Sequence, residues 1–513
     1  MKEGIELVQY FESSELSYFK EAYGLSEQVK EALRVAVGEC QMYMEGNLKK
    51  LLDTSGTSSK KQAKRVRELL TVLDNATGGG EEFKRLLKTY VDARRSGPRF
   101  KSLSSSEPVT FSSTESTTRS SFTVGGAQAY ERGDHPILAQ VVELGRAIED
   151  EYAIALQIFD SDEGIGGYSA LSISVKVAEK LIIKLSQILQ AVDQEIASIT
   201  LPQVQKSSEE ASPNFMPLLI SLDILESLYE CAPKSFMQLI KVKELPLKKG
   251  TESILVKTQQ ILYMVGKRCG MLNEEEEESG GAEQSMDEVD IQTPMAQVSL
   301  LVGLAGEVAQ FPKTFRMVEF INRSVKESSK RFNFNDRLVE IVQVIEAKRE
   351  AFKKKYALKF QFIIKNYGYM YSRLESQKTQ ALLGLITKDQ DPSETLVAQL
   401  RQSLDFHIDQ FSQFVWKDPR SLLKKMFNKN GALVPEFKEI GAEVNAKMDV
   451  IVRKEFKRYA IADEIGPGVK LMLKEQMIKC ISGLYGRYLK ACKPEGAYSM
   501  EDIEISVDKL LKL

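Results

Sequence analysis

Basic residues near the C-terminus carry the clearest chemical signal in this sequence. In an α-helix, Lys479 and Lys490 lie about 20° apart around the axis and roughly 16 Å apart along it, and Arg487 flanks them. Gly483 and Gly486 face the same side. Helical glycines cost about 1 kcal/mol each relative to alanine, which packing or close approach by a partner would explain. A basic face of this kind favours phosphate groups on a flat anionic surface.

The same helix is predicted to have an apolar stripe on its opposite face. The stripe follows spacings of 4, 4, 3 and 4 and consists of Leu473, Met477, Ile481, Leu484 and Tyr488. Lys470 and Lys474 fall inside this apolar arc. They are candidate lipid-binding residues only if the first turn is splayed or their stems extend outwards.

A second basic cluster precedes this helix, after a segment with a predicted inward face. The inward positions are Phe437, Ile440, Val444, Met448 and Ile451. The cluster consists of Arg453, Lys454, Lys457 and Arg458. Residues 417–493 hold 17 Lys and Arg against nine Asp and Glu, a local excess of 8 positive charges in a chain of net charge −2. Lysines on helices are commonly ordinary solvated surface, but this segregation of charge favours a phosphate-bearing partner.

Nucleic acid is a second class of phosphate-bearing partner. It would require exposed aromatic residues between the basic ones, so that bases can stack on them. Phe456 and Tyr459 lie beside the second cluster, but their spacing from Val452 suits a buried face. Because a nucleic-acid-binding motif is also missing, we expect no nucleic-acid partner. A protein-interaction adaptor that binds no lipid remains a third possibility.

Residue patterns for catalysis or metal binding are scarce. The two histidines, His135 and His407, are far apart, and there is no HExxH motif, Gly-x-Ser-x-Gly motif or Walker loop. The five cysteines are scattered, which argues against a disulfide framework and a zinc site. Residues 149–151 (Glu-Asp-Glu) point in different directions on a helix and are predicted to be solvated rather than to bind a metal. We therefore predict a protein that is not an enzyme, with no catalytic residues, metal or cofactor.

Composition and periodicity predict a multi-unit helical protein. The 513 residues are 43% apolar and 28% charged, and neither a membrane-spanning run nor a signal-peptide pattern is evident, so we expect a cytoplasmic chain. Long stripes recur at helical spacing, including Val177, Leu181, Leu185, Ile188, Val192, Ile196 and Ile199. β-type alternation of any length is missing. We predict an all-α fold, an extended rod of stacked antiparallel helical bundles.

Changes in composition suggest the domain organisation. Residues 1–95 are predicted to be an N-terminal helical region, and residues 96–133 a Ser/Thr-rich linker. Residues 134–513 are predicted to form the helical-rod domain, with an acidic disordered insertion at 273–290 and a basic bundle at about 417–513.

Several blocks together resemble one known family. Residues 130–136 (Tyr-Glu-Arg-Gly-Asp-His-Pro) follow the Ser/Thr-rich linker, and residues 357–370 contain an Asn-centred apolar helix. A Leu-Leu-Gly turn follows at 382–384, then Phe-Val-Trp at 414–416 and Tyr-Ser-Met-Glu-Asp-Ile at 498–503. In this order and spacing, the blocks resemble the seventy-kilodalton subunit family of the exocyst, as a divergent member. The likeness covers residues 66–513.

The resemblance implies a rod of helical bundles that helps to tether secretory vesicles to the plasma membrane in exocytosis. It implies binding to phosphatidylinositol bisphosphate membranes through basic C-terminal residues. It also implies contacts with other exocyst subunits and with Rho-type small GTPases. The expected location is cytoplasmic and peripheral at the plasma membrane. The alternative is an adaptor without lipid binding, in another trafficking or defence role.

Overall fold

The computed structural model describes residues 2–11, 20–53, 57–77, 80–105, 130–159, 165, 167–197, 199, 215–278, 295–327, 330–352, 356–385, 395–428, 431–455, 465–492 and 496–511. Across these residues the regular elements are helices, and the β contacts are two isolated bridges, Ile165 with Tyr168 and Phe427 with Leu433. The predicted all-α class is confirmed. The helices fall into two compact units.

The first unit contains the helices from the N-terminus up to Lys257. They are α1 (Lys2–Phe11), α2 (Lys20–Asp53), α3 (Thr57–Thr77), α4 (Glu81–Arg95), α5 (Pro98–Ser105), α6 (Pro136–Phe159), α7 (Ala170–Ala197), α8 (Met216–Cys231), α9 (Pro233–Leu239) and the beginning of α10 (Pro246–Glu278). Proline stands at the first position of α6, α9 and α10, where its missing N–H costs no helical hydrogen bond.

The core of this unit joins α3 and α4 to α6 and α7. Its buried side chains include Val66, Leu70, Phe83, Tyr90, Tyr152, Ile158, Phe159, Ile173 and Val177. The predicted α7 stripe is confirmed, because its members from Val177 to Ile196 are buried, and Ile199 beyond the helix end is half-buried. The unit therefore takes helices from both sides of the predicted linker at 96–133.

The first part of the predicted linker contains a helix. Pro98–Ser105 forms helix α5, and its Leu103 is buried while the Leu103 carbonyl accepts a hydrogen bond from Lys184 Nζ at 2.9 Å. The Ser/Thr-rich composition hid this helix, because only two large apolar residues, Phe100 and Leu103, attach it to its neighbours. The rest of the linker, at 106–129, lies outside the described residues.

The acidic run at 149–151 also differs from its prediction. Glu151 is fully buried, and its carboxylate pairs with the Arg94 guanidinium at 2.6 Å and accepts a hydrogen bond from Tyr90 at 3.3 Å. Glu149 accepts a hydrogen bond from the Ser235 backbone N–H at 2.8 Å, near the start of α9. These carboxylates therefore connect α6 to α4 and α9 rather than facing solvent.

The second unit contains the remainder of α10 and the following helices. They are α11 (Ala296–Val308), α12 (Pro312–Ser324), α13 (Phe334–Ala351), α14 (Tyr356–Leu374), α15 (Gln377–Leu382), α16 (Leu396–Val415), α17 (Lys417–Met426), α18 (Phe437–Val450), a π-helical turn (Ile451–Glu455), α19 (Gly466–Cys492) and α20 (Met500–Leu511).

Helix α14 lies at the centre of this unit and packs against α11, α13, α16 and α19. Ten consecutive residues, 361–370, are buried. Within them, Asn366 donates to the Phe362 carbonyl and accepts from the Met295 backbone N–H, both at 2.8 Å. The Asn-centred block therefore satisfies a backbone N–H just before α11, where no helical carbonyl is available to accept it.

The acidic insertion predicted at 273–290 is helical in its first part. Helix α10 continues to Glu278, so residues 273–278 extend a helix rather than forming irregular chain. Glutamate has a favourable helix propensity, and a helix already nucleated upstream gains one hydrogen bond for each residue added. Residues 279–290 lie outside the described residues.

Candidate functional site

Helix α19 positions the basic residues by burying its opposite face. The buried residues are Val469, Lys470, Leu473, Met477, Ile481, Tyr485 and Tyr488. The predicted stripe is correct except at Leu484, which is only half-buried while Tyr485 occupies the core. Tyr485 can be buried because its hydroxyl donates to the Tyr498 carbonyl at 3.0 Å. Burial raises the pKa of Tyr485 and of Tyr488, so both phenols stay neutral at physiological pH.

The outer face of α19 carries the predicted basic line. Lys479, Arg487 and Lys490 are exposed, and no carboxylate in the described part of the chain forms an ion pair with them. A Cβ atom placed on Gly483 or Gly486 would meet no neighbouring atom within 4 Å. Packing against described residues therefore does not account for these glycines, and the surface between the lysines is open.

The structure places Lys470 and Lys474 away from this line. Lys470 is buried, and Lys474 Nζ forms an ion pair with Asp508 of α20 at 2.7 Å. The first turn of α19 is regular from Gly466, so the splaying that would have exposed these lysines is not observed. Lys474 instead helps to hold α20 against α19.

The second basic cluster begins in the π-helical turn. Arg453 is exposed, pairs with Asp449 at 2.6 Å and donates to the Tyr498 hydroxyl at 3.2 Å, while that hydroxyl donates to Asp449 at 2.8 Å. Part of its charge is therefore neutralised locally. Lys454 lies in the turn, but its side chain, and all of Lys457 and Arg458, lie outside the described residues.

Helix α18 supports α19 from one side. Gly441, Val444, Met448 and Ile451 are buried, whereas the predicted inward residues Phe437 and Ile440 are half-buried. The Tyr488 hydroxyl donates to Asn445 at 3.0 Å, and a Cβ on Gly441 would come within 3.3 Å of the Tyr488 ring. Close approach to Tyr488 explains this glycine, in contrast to the open ones on α19.

Helix α17 adds basic residues that the sequence interpretation missed. Trp416, just before α17, donates its indole N–H to the Met477 carbonyl at 3.0 Å, and Arg420 lies 3.2 Å from the Cys480 sulfur, so α17 runs beside α19. Lys417 and Lys424 are exposed and lie within 60° of Arg420 around the helix. The sequence does indicate this cluster, because Lys417 lies three residues before Arg420 and Lys424 four residues after it, which places them on one side of a helix.

The two histidines lie in different surroundings. His135 accepts a hydrogen bond from the Ile137 N–H at 3.3 Å through Nδ1, at the start of α6. His407 is buried beside Phe360 and Phe406, and burial lowers its pKa to about 4.

Among the described residues, no three His, Cys, Asp or Glu side chains are grouped as they would be around a metal ion. Every helix in this part of the chain is too short or too polar to span a membrane.

Comparisons with known proteins found solved structures from the exocyst. No family model matches this sequence, and no curated protein matches it. A crystal structure of the exocyst component Exo70p from S. cerevisiae matches at 13% identity and a TM-score of 0.37, covering 99% of this chain and 94% of that one. A second match, from a study of exocyst subunit Exo70p and the Exo84p C-terminal domains, has 11% identity, a TM-score of 0.38 and the same coverage. Both matches are structures of exocyst subunits that share little sequence identity with this chain.

Proposed function

We propose that this chain is an exocyst subunit-like protein that helps to tether secretory vesicles to the plasma membrane. It binds anionic phosphoinositides through the basic C-terminal helices and is cytoplasmic and peripheral at that membrane. The observation that carries this proposal is the exposed line of Lys479, Arg487 and Lys490 on α19, which has no ion-pair partner among the described residues and which has the open glycines Gly483 and Gly486 within it.

A flat membrane suits this arrangement better than a single small ligand. The two lysines are roughly 16 Å apart along one exposed face, which is too far for one phosphate group but suitable for separate headgroups. Each basic residue near an anionic surface contributes about 1 kcal/mol, and several acting together give useful avidity. Lys417 and Lys424 on α17 enlarge the same basic region, and Glu475, exposed one turn before Lys479, is a nearby opposing charge.

The protein partners follow from the family resemblance. We infer that other exocyst subunits and Rho-type small GTPases bind this chain, on surfaces that the basic line does not define.

Cosedimentation with vesicles tests the lipid part of the proposal. The full chain is mixed with phosphatidylcholine vesicles that contain or lack phosphatidylinositol bisphosphate, at several salt concentrations. We expect binding only with the phosphoinositide and a steep loss of binding as salt increases, because exposed charges are screened within about 8 Å at physiological ionic strength. Equal sedimentation with both kinds of vesicle, or none with either, would favour the adaptor without lipid binding, in another trafficking or defence role.

A further inference from the structure

A partly open cleft in the second unit has no role in the proposed function. Its volume is about 420 Å³, within the range of small-ligand sites. The cleft lies between α12, the start of α13, α10 and the Leu383-Gly384 turn that follows α15.

Aromatic side chains form one wall of this cleft. Phe315, Phe332 and Phe334 line it and are almost fully buried. The Phe332 and Phe334 rings meet edge to face, with their centroids 4.5 Å apart. The rings therefore supply an apolar part of the lining, beside the polar side chains that make up the rest of it.

Hydrogen bonds keep this wall in place without a ligand. Asn322 accepts from the Phe332 N–H at 2.9 Å and donates to the Phe332 carbonyl at 2.7 Å. Gln259 donates both to Asn322 and to the Lys330 carbonyl, at 3.1 and 3.0 Å. The polar groups at the back of the cleft thus satisfy one another. The cleft is therefore preformed, and binding a ligand does not require free energy to order it.

Glu319 is the exception among the polar groups that line the cleft. Its side chain is half-buried, and within the described residues it has neither a hydrogen-bond partner nor an ion pair. Burial raises the pKa of its carboxyl, while the charges of Arg316 and Arg323 on the same helix lower it from a distance. An incompletely solvated carboxylate without a partner favours a cation.

The other charged side chains that line the cleft already form hydrogen bonds within the chain. Asp336 accepts a hydrogen bond from the Asn333 amide at 2.9 Å, in the cap of α13. Arg331 is exposed at the rim, and its Nε donates to the Val325 carbonyl at 3.0 Å. Glu319 is therefore the group left to recognise the charged end of a ligand.

We propose that this cleft binds an arginine side chain from an extended segment of a partner protein. The aliphatic stem and the planar guanidinium pack against the phenylalanine rings, and the guanidinium pairs with Glu319. Arginine fits better than lysine, because its charge is spread over a plane that stacks on aromatic rings and its forked donors match a carboxylate.

The test uses the full chain and a fluorescein-labelled, end-capped Gly-Ala-Arg-Ala-Gly peptide. A second peptide has citrulline, the neutral isostere, in place of arginine. In fluorescence anisotropy titrations we expect the arginine peptide to bind at least about tenfold more tightly, because neutral citrulline cannot form a charge-assisted hydrogen bond with Glu319. Methyl NMR signals of Val318 and Leu383, which line the cleft, should shift with the arginine peptide.

Two matched variants locate the effect. Glu319→Gln should weaken binding of the arginine peptide about tenfold and leave the thermal melt unchanged or higher, since an unpaired carboxylate is removed. Glu439→Gln, an equal charge change at an exposed position of α18, should have no effect on peptide binding. The proposal is overturned if both peptides bind equally, if neither binds at millimolar concentration, if Glu319→Gln binds as the parent does, or if the shifted methyl signals lie elsewhere.

Discussion

The missing side chain at Gly483 affects the outer surface of α19 rather than its packing. A side chain there would meet no described atom, so the glycine is not required for packing within this part of the chain. A backbone without side chains allows a flat partner to approach both lysines at once. Gly441, in the neighbouring helix, differs because the Tyr488 ring fills the space beside it.

Gly483→Leu should therefore weaken binding to phosphoinositide vesicles although no charge is lost. If the bulk holds one basic contact of about 1 kcal/mol away from the headgroups, binding falls about fivefold in a cosedimentation assay. Helix content by circular dichroism should not fall, since leucine has the higher helix propensity. Gly24→Leu, at an exposed and equally open glycine of α2, is the control and should bind as the parent does. Unchanged binding by Gly483→Leu would mean that the membrane does not approach this face.

Glu307 predicts a pH dependence of stability. Burial raises its pKa to about 7, opposed by the Arg373 guanidinium 4.0 Å away and by a hydrogen bond from Gln310 at 2.6 Å. The model-peptide value for a glutamate is about 4.3, so between these two values the folded chain binds more protons than the unfolded chain. The free energy of unfolding therefore falls as pH rises from about 4.3 to about 7.

Glu307→Gln should remove this part of the pH dependence. At pH 8 the variant should be more stable than the parent, by an amount on the order of 3 kcal/mol, and the difference should shrink towards pH 4. The midpoint of urea unfolding across this pH range measures the effect, with the exposed Glu375→Gln as control. A parent and variant that respond to pH in the same way would show that Glu307 is ionised without cost.

A buried ion pair, Arg94 with Glu151, links α4 to α6 in addition to their apolar contacts. Arg94→Ala leaves the Glu151 carboxylate buried without its counter-charge, so we expect a loss of about 3–5 kcal/mol. Arg95→Ala is the neighbouring control: Arg95 is partly exposed and pairs with the more exposed Glu179, so about 1 kcal/mol or less should be lost. Urea unfolding measures both. Equal losses would mean that burial does not distinguish the two pairs.

Helical spacing predicted the elements well, because it depends on which side of a helix is apolar. The α7 stripe and most of the α19 stripe are buried as expected. Glu151 could not be predicted in this way, since its burial depends on Arg94 from a helix distant in sequence. Tyr485 was missed for the same reason: its hydroxyl is satisfied by the Tyr498 carbonyl, which spacing does not reveal.

The candidate site was predictable in part. The exposure of Lys479, Arg487 and Lys490 followed from their angle around α19. Two features could not be predicted, because they depend on how α19 packs against α20 and α17. Lys474 pairs with Asp508 of α20, and the exposed Lys424 belongs to the helix that runs beside α19. Composition likewise missed α5, where Leu103 is buried and Phe100 packs against the core of the first unit.

At the scale of the whole molecule, charge is distributed unevenly. The chain carries a net charge of −2, whereas residues 417–493 carry an excess of 8 positive charges. An anionic membrane repels a protein of net negative charge unless a basic region of the protein faces it. This distribution of charge would therefore orient the chain with its basic region towards such a membrane. We propose that the exposed line on α19 is that region.

The most direct measurement compares Lys479→Ala/Lys490→Ala with the parent chain in cosedimentation with phosphatidylinositol bisphosphate vesicles. Lys88→Ala/Lys180→Ala, which removes two exposed lysines from α4 and α7, is the matched control for lost charge. Losing two contacts of about 1 kcal/mol each should weaken binding roughly thirtyfold, with unchanged helicity and a shallower salt dependence, while the control binds nearly as the parent does. If the Lys479→Ala/Lys490→Ala variant binds these vesicles as tightly as the parent, the line on α19 is ordinary solvated surface.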